Sequence, residues 1–119
     1  MNYLIWVDDE RPVHQMYETL QKKNLNKLQI IVFKNALDTI DWLTNHHHDN
    51  ENKIFVDLDH DLGSFDLTGY TICQFIVQNK IPIAGFAVHS MNPVGAKNMK
   101  DLLEHYGYYA LKFRSEVVR

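Results

Sequence analysis

The chain has one cysteine, Cys73, so it can form no internal disulfide, and a reducing compartment is its default address. It has no long apolar run. The longest near its start, Tyr3 to Val7, is far too short for the core of a signal peptide or for a bilayer span. A basic excess is missing too: 12 Lys and Arg stand against 15 Asp and Glu, a formal charge of −3. No global positive field draws this protein onto a membrane or extended double-stranded nucleic acid, and any polyanion must be met locally. Internal repeats, linkers and low-complexity tracts are also lacking. With 119 residues, 45% of them hydrophobic, this leaves a single domain over residues 1–119, expected in the cytoplasm.

What is present is an alternation. Five short apolar runs (Tyr3 to Val7, Leu28 to Phe33, Ile54 to Leu58, Ile83 to Val88, Tyr108 to Phe113) are separated by segments with helical spacing. Continuous rather than alternating runs suit strands covered on both faces, and the pattern predicts an α/β fold with a parallel sheet. Pro12 is expected at the first helical position of helix one, with Val13, Met16, Tyr17 and Leu20 on its stripe. Asn35 should cap helix two, which carries Ala36, Leu37, Ile40 and Leu43 inward and ends in the polar stretch Asn45 to Asn52. Helix three starts near Thr68 and buries Ile72, Cys73 and Ile76. Helix four presents Met99, Leu102, Leu103 and Tyr106 and stops at Gly107. Right-handed crossovers then give a three-layer, doubly wound, flavodoxin-like sheet of five strands in the order 2-1-3-4-5. Ligands of such sheets bind beyond the carboxyl ends of the strands, where the order reverses, between the first and third.

Both loops at that point are acidic. Asp8-Asp9-Glu10-Arg11 follows the first strand, and the third runs into Asp57-Leu58-Asp59-His60-Asp61-Leu62-Gly63. Six carboxylates gathered there raise one another's pKa values unless a cation or hydrogen-bond donors compensate, and a hard divalent metal is the economical answer. Mg2+ on Asp8 or Asp9 with Asp59 fits best, with Asp61 as a further candidate ligand. Ca2+ fits less well, because Thr68 stands where an EF-hand loop from Asp57 needs its Glu. Imidazole beside carboxylate also suits Mn2+ or zinc. The plain alternative is a set of solvated turns.

The fourth run ends in His89-Ser90-Met91-Asn92-Pro93-Val94-Gly95, and Lys112 lies near the end of the fifth. Ser90, Asn92, the backbone N–H groups at Gly95, and Lys112 are candidate phosphate contacts, with Arg11 as a bidentate clamp. Each has an ordinary alternative as a cap, a turn or a surface charge. His60 and His89 arrive from adjacent loops and exchange protons near neutral pH, so with Asp59 they are the candidate catalytic groups. Alternatively they serve as ion-pair partners that orient carboxylates. His46-His47-His48 reads as solvated loop, Trp6 and Trp42 as packing, and Cys73 as core. Tyr106, Tyr108 and Tyr109 either flank a nucleobase or belong to a helix end and an edge strand.

An acidic pair after strand one, Asp after strand three, Ser after strand four and Lys after strand five resemble the pentad of two-component receiver domains. That resemblance implies Mg2+ on Asp8 and Asp9, Asp59 as phosphoacceptor, and Ser90 and Lys112 on the phosphoryl group. His60, His89 and Phe113 depart from ordinary signalling receivers. Trp6-Val7-Asp8-Asp9-Glu10-Arg11-Pro12, Leu58-Asp59-His60-Asp61-Leu62-Gly63 and the segment His89 to Gly95 are instead similar to the cyclic-phosphate processing receiver family. What this implies is action on a cyclic phosphate, at an RNA end or in a cyclic nucleotide. A metal-assisted phosphodiesterase is then expected, with His60 and His89 as acid and base in either order. The rival readings are a stand-alone phosphoacceptor switch and a sensor that binds a cyclic phosphate without cleaving it. Only Phe113 to Arg119 follow the core of the fifth run, too few for a receiver's closing helix. Val117 and Val118 are expected to pack as a short tail there, or a second copy or other partner to cover that sheet face.

Overall fold

The apolar runs form a parallel sheet, and the rest of the molecule is arranged on its two faces. The computed structural model describes residues 1–24, 27–49, 51–64 and 66–119. Strands β1 (Asn2–Val7), β2 (Leu28–Phe33), β3 (Lys53–Leu58) and β4 (Gly85–Val88) form a parallel sheet in the order β2-β1-β3-β4. Between them run α1 (Gln15–Lys23), α2 (Ala36–His46) and α3 (Gly69–Gln78), and α4 (Pro93–His105) follows β4. Side chains of a strand alternate across the sheet, so Ile5, Val7, Val56 and Leu58 enter one core with α2, α3 and α4. Leu4, Trp6 and Phe55 enter a second core with Tyr17 of α1. No helix among the described residues is long and apolar enough to cross a membrane.

The expected order holds for four strands and fails for the fifth. Tyr108 to Phe113 touches β4 at one isolated bridge, Phe86 to Ala110. The reason lies in the side chain of Glu116. Its Oε2 accepts the backbone N–H groups of Lys112 (2.7 Å) and Phe113 (2.9 Å), and its Oε1 accepts the Tyr109 hydroxyl. The Phe113 N–H, the next donor on the side of the bridge, is thereby taken up within the tail, and the chain enters a five-residue 3-10 helix, Arg114–Val118. That helix closes the second face: Val117 is fully buried among Leu4, Trp6, Tyr17, Leu28 and Phe55, and Val118 packs at the margin. The chain's own tail thus covers the face expected to be left short.

Other boundaries shift for local reasons. Asp8 Oδ1 accepts the N–H groups of Glu10 and Arg11, holding the loop as a turn, so α1 starts after His14 rather than at Pro12. Met16, Leu37 and Tyr106, placed on inward stripes by spacing, are exposed. In α2 the buried place goes to Thr39, whose hydroxyl donates to the Asn35 carbonyl (2.9 Å). Caps at Asn35 and Thr68 and the positive φ of Gly107 fall where the sequence puts them. Asn50, in the polar stretch after helix two, lies outside the described residues.

Replacing Val117 by Ala removes two buried methyl groups and should lower stability by about 2 kcal/mol in urea unfolding. An effect under about 0.5 kcal/mol would mean that the tail does not close this face.

Candidate active site

The sheet ladder continues one residue beyond the strand ends and so sets two carboxylates side by side. Asp8 N–H donates to the Phe33 carbonyl (3.1 Å) and Asp59 N–H to the Val7 carbonyl (3.0 Å). Asp8, Asp9 and Asp59 each offer a carboxylate oxygen within 4.8 Å of the others. They line a cavity of about 360 Å³ together with Arg11 and Asp61, with Met91 at its rim. A Cβ on Gly69 would stand 2.0 Å from the Asp59 carbonyl oxygen, so the start of α3 seats against this loop only because residue 69 has no side chain.

The two buried acids differ in their supply of positive charge. Burial disfavours the Asp8 carboxylate, but the N–H groups of Arg11 and Glu10 and the neighbouring His89 outweigh it and hold the group below its ordinary value. Asp59 is raised, first by burial and then by the charge of Asp8, which the His60 N–H and the Ser90 hydroxyl offset only in part. An all-oxygen donor set with one carboxylate still short of positive charge fits a hard divalent cation. Asp61, counted with the ligands from sequence, is mostly exposed and bonded to His60, and it does not join the close group of three.

His89 is clamped. Its Nδ1 meets Asp57 Oδ1 at 2.7 Å and its Nε2 meets Asp8 Oδ2 at 3.0 Å, while the ring stacks on Trp6 at 3.8 Å and 5°. Both ring nitrogens are thereby taken up by carboxylates. Asp57 is the far anchor, fully buried inside β3, and its Oδ2 accepts the Tyr17 hydroxyl (2.6 Å) and Arg114 Nε (3.1 Å). Burial would raise Asp57, yet His89, Tyr17 and Arg114 together keep it below the usual carboxylate range. Burial, then the charge of Asp57, raise the Tyr17 hydroxyl, which stays a donor.

His60 is held differently. Its Nδ1 bonds Asp61 Oδ1 at 2.8 Å, its carbonyl accepts the Gly69 N–H, and Nε2 has no partner among the described residues. The ring lies on α4 at Gly95, where a Cβ would come within 2.5 Å of it. Asn92 caps α4 and accepts the Gly95 N–H at 3.0 Å, so that donor is already used. Ser90 Oγ accepts the Asn92 N–H at 3.1 Å. Lys112 does not line the acidic cavity; with Lys100 and Arg114 it lines another, of about 260 Å³, at the open edge of β4.

Asp57, Tyr17 and Arg114 belong to the site in addition to the residues expected from the sequence. Asp57 left a usable signal, being the one charge inside an otherwise apolar run and on the same side as Phe55. Arg114 left none, because its reach depends on a tail whose path Glu116 sets.

Asp57→Asn strips His89 and Arg114 of their common anion and should cost about 3 kcal/mol at pH 7, by chemical denaturation. Because folding depresses Asp57, the gap to wild type is complete above its ordinary value of 3.8 and closes as pH falls further. A gap that stays constant down to pH 2 would contradict this charge arrangement.

In structure the chain is similar to a crystallised signal receiver domain of a protein described as a Luxo repressor from Vibrio parahaemolyticus. The TM-score is 0.58, at 19% identity over 96% of this chain and 81% of that one. At this identity the likeness speaks for the receiver fold alone. No curated protein matches the chain. The sequence family described as the cyclic-phosphate processing receiver domain matches over residues 3–105, a span that holds both acidic loops, His60, His89 and α4. By its sequence over that span, then, the chain belongs to the cyclic-phosphate processing receiver domain family.

Proposed function

We propose that this domain opens a cyclic phosphodiester at the acidic cavity, adding water to give a phosphate monoester. The observation that supports this reading is the meeting of Asp8, Asp9 and Asp59 within 4.8 Å, beside the Asp61 carboxylate that holds His60. Family membership supports the substrate class, and a cavity of about 360 Å³ suits a small phosphate ester or an RNA terminus. Asp8, Asp9 and Asp59 are the residues that would hold Mg2+, with Mn2+ or Ca2+ suited to the same oxygens. Such a cation, when bound, neutralises non-bridging phosphate oxygens and polarises phosphorus toward attack.

The chain's own groups do the rest. Asp61 accepts Nδ1–H of His60 and so fixes the tautomer whose free lone pair is on Nε2. Nε2 takes the proton of the attacking water, a P–O bond forms, and the ring P–O bond breaks. The departing alkoxide takes its proton from solvent in the open cavity. Arg11 in the cavity wall clamps a non-bridging oxygen. His89, expected from sequence as half of an acid–base pair, has both nitrogens committed, and we assign it to holding Asp8.

A phosphoacceptor switch is the second reading, favoured by the Ser90 hydroxyl beside a carboxylate short of positive charge. Stable labelling of Asp59 by a small phosphodonor, without hydrolysis of any cyclic phosphate, would select it. Tight binding with the ligand recovered intact would instead select a sensor.

The deciding assay is a panel of cyclic mononucleotides and RNA ends with Mg2+ or Mn2+, against the same panel in chelator. Turnover should require the cation, and His60→Ala should lower kcat by about 10²–10⁴-fold. Gly95→Ala keeps every polar group but drives a methyl into the His60 ring, and it should lower kcat in the same direction. Full turnover in His60→Ala would remove His60 from the chemistry.

A further inference from the structure

We infer that Arg114, in the C-terminal 3-10 helix, is a positioning residue for the acidic cavity and acts on Asp8 through Asp57 and His89. The inference rests on the reading of Asp8 as a cation ligand. The contacts are continuous: Arg114 Nε to Asp57 Oδ2 at 3.1 Å, Asp57 Oδ1 to His89 Nδ1 at 2.7 Å, and His89 Nε2 to Asp8 Oδ2 at 3.0 Å. Trp6 adds a second link to the same loop, stacking on His89 while its Nε1 donates to the Arg11 carbonyl at 3.2 Å.

His89 is one imidazole shared between two buried carboxylates, and its place depends on how strongly each holds it. Arg114 supplies Asp57 with a charged donor of its own and lies 5.9 Å over the ring of Tyr17. With Asp57 satisfied, the imidazole can remain on Asp8. Without Arg114, Asp57 draws the ring away, and the Asp8 carboxylate loses the partner that fixes its Oδ2. Arg114 is itself held by the tail: Glu116 gathers the preceding N–H groups, Val117 anchors in the core, and Asn2 Nδ2 donates to the Val117 carbonyl at 2.8 Å. Arg114 lies outside the span matched by the family, residues 3–105, so this chain has completed its site with a residue from beyond that span.

The test compares Arg114→Gln and Arg114→Lys with wild type, and with Leu43→Ala, which weakens the opposite core and touches none of this chain of contacts. Without metal, the amide resonances of Glu10 and Arg11, whose N–H groups bond Asp8 Oδ1, should shift in Arg114→Gln and stay in place in Leu43→Ala. With metal, Mg2+ affinity should fall about tenfold or more in Arg114→Gln and recover substantially in Arg114→Lys. Unmoved Glu10 and Arg11 amides in Arg114→Gln would overturn the coupling whatever the metal does. Shifted amides with unchanged Mg2+ affinity would overturn its role at the cation site. Shifted amides in a protein whose wild type binds no Mg2+ would overturn the cation reading of Asp8 and leave the coupling standing.

Discussion

A doubly bonded imidazole organises this molecule. His89 lies between Asp8, at the end of the central strand, and Asp57, inside the neighbouring strand, with the indole of Trp6 under its ring. Two buried carboxylates on neighbouring strands repel each other, and the imidazole between them gives each a hydrogen-bond partner. The ladder brings Asp8 and Asp59 together, and the N–H groups of Arg11 and Glu10, joined by His89, hold the Asp8 carboxylate below its ordinary value. The first acidic loop meets that clamp at Asp8, and the closing tail meets it through Arg114 on Asp57.

The two histidines follow from one principle and end in opposite roles. Each has a carboxylate on Nδ1. His89 has a second on Nε2, which commits it to charge balance, whereas the Nε2 of His60 has no partner among the described residues. Gly95 makes the second arrangement possible by letting the ring lie directly on the helix backbone. Lys112, near the end of the fifth run, is a cation of the other cavity because the tail turns at Glu116 before a strand can form.

Much of this was legible in the residues. Strand runs one to four, the caps at Asn35 and Thr68, and the order of the first four strands are written in apolar continuity and local hydrogen-bonding chemistry, which act over a few positions. The convergence of Asp8, Asp9 and Asp59 was legible because strand order alone brings those loops together. The fate of the fifth run was not, since it turns on one glutamate capturing two backbone donors. Nor was the commitment of His89, because it depends on Asp57 facing the same side of the sheet as Trp6, a matter of register rather than of motif.

Both tryptophans of the chain are stacked on a histidine: Trp6 on His89 beside the site, and Trp42 on His46 at the surface of α2. An indole's emission follows its surroundings, so the interior of this site has an optical gauge already built into it. With Trp42 replaced by Phe, light from the one remaining indole would follow the imidazole clamp in an unlabelled protein, at concentrations far below those that resonance methods need.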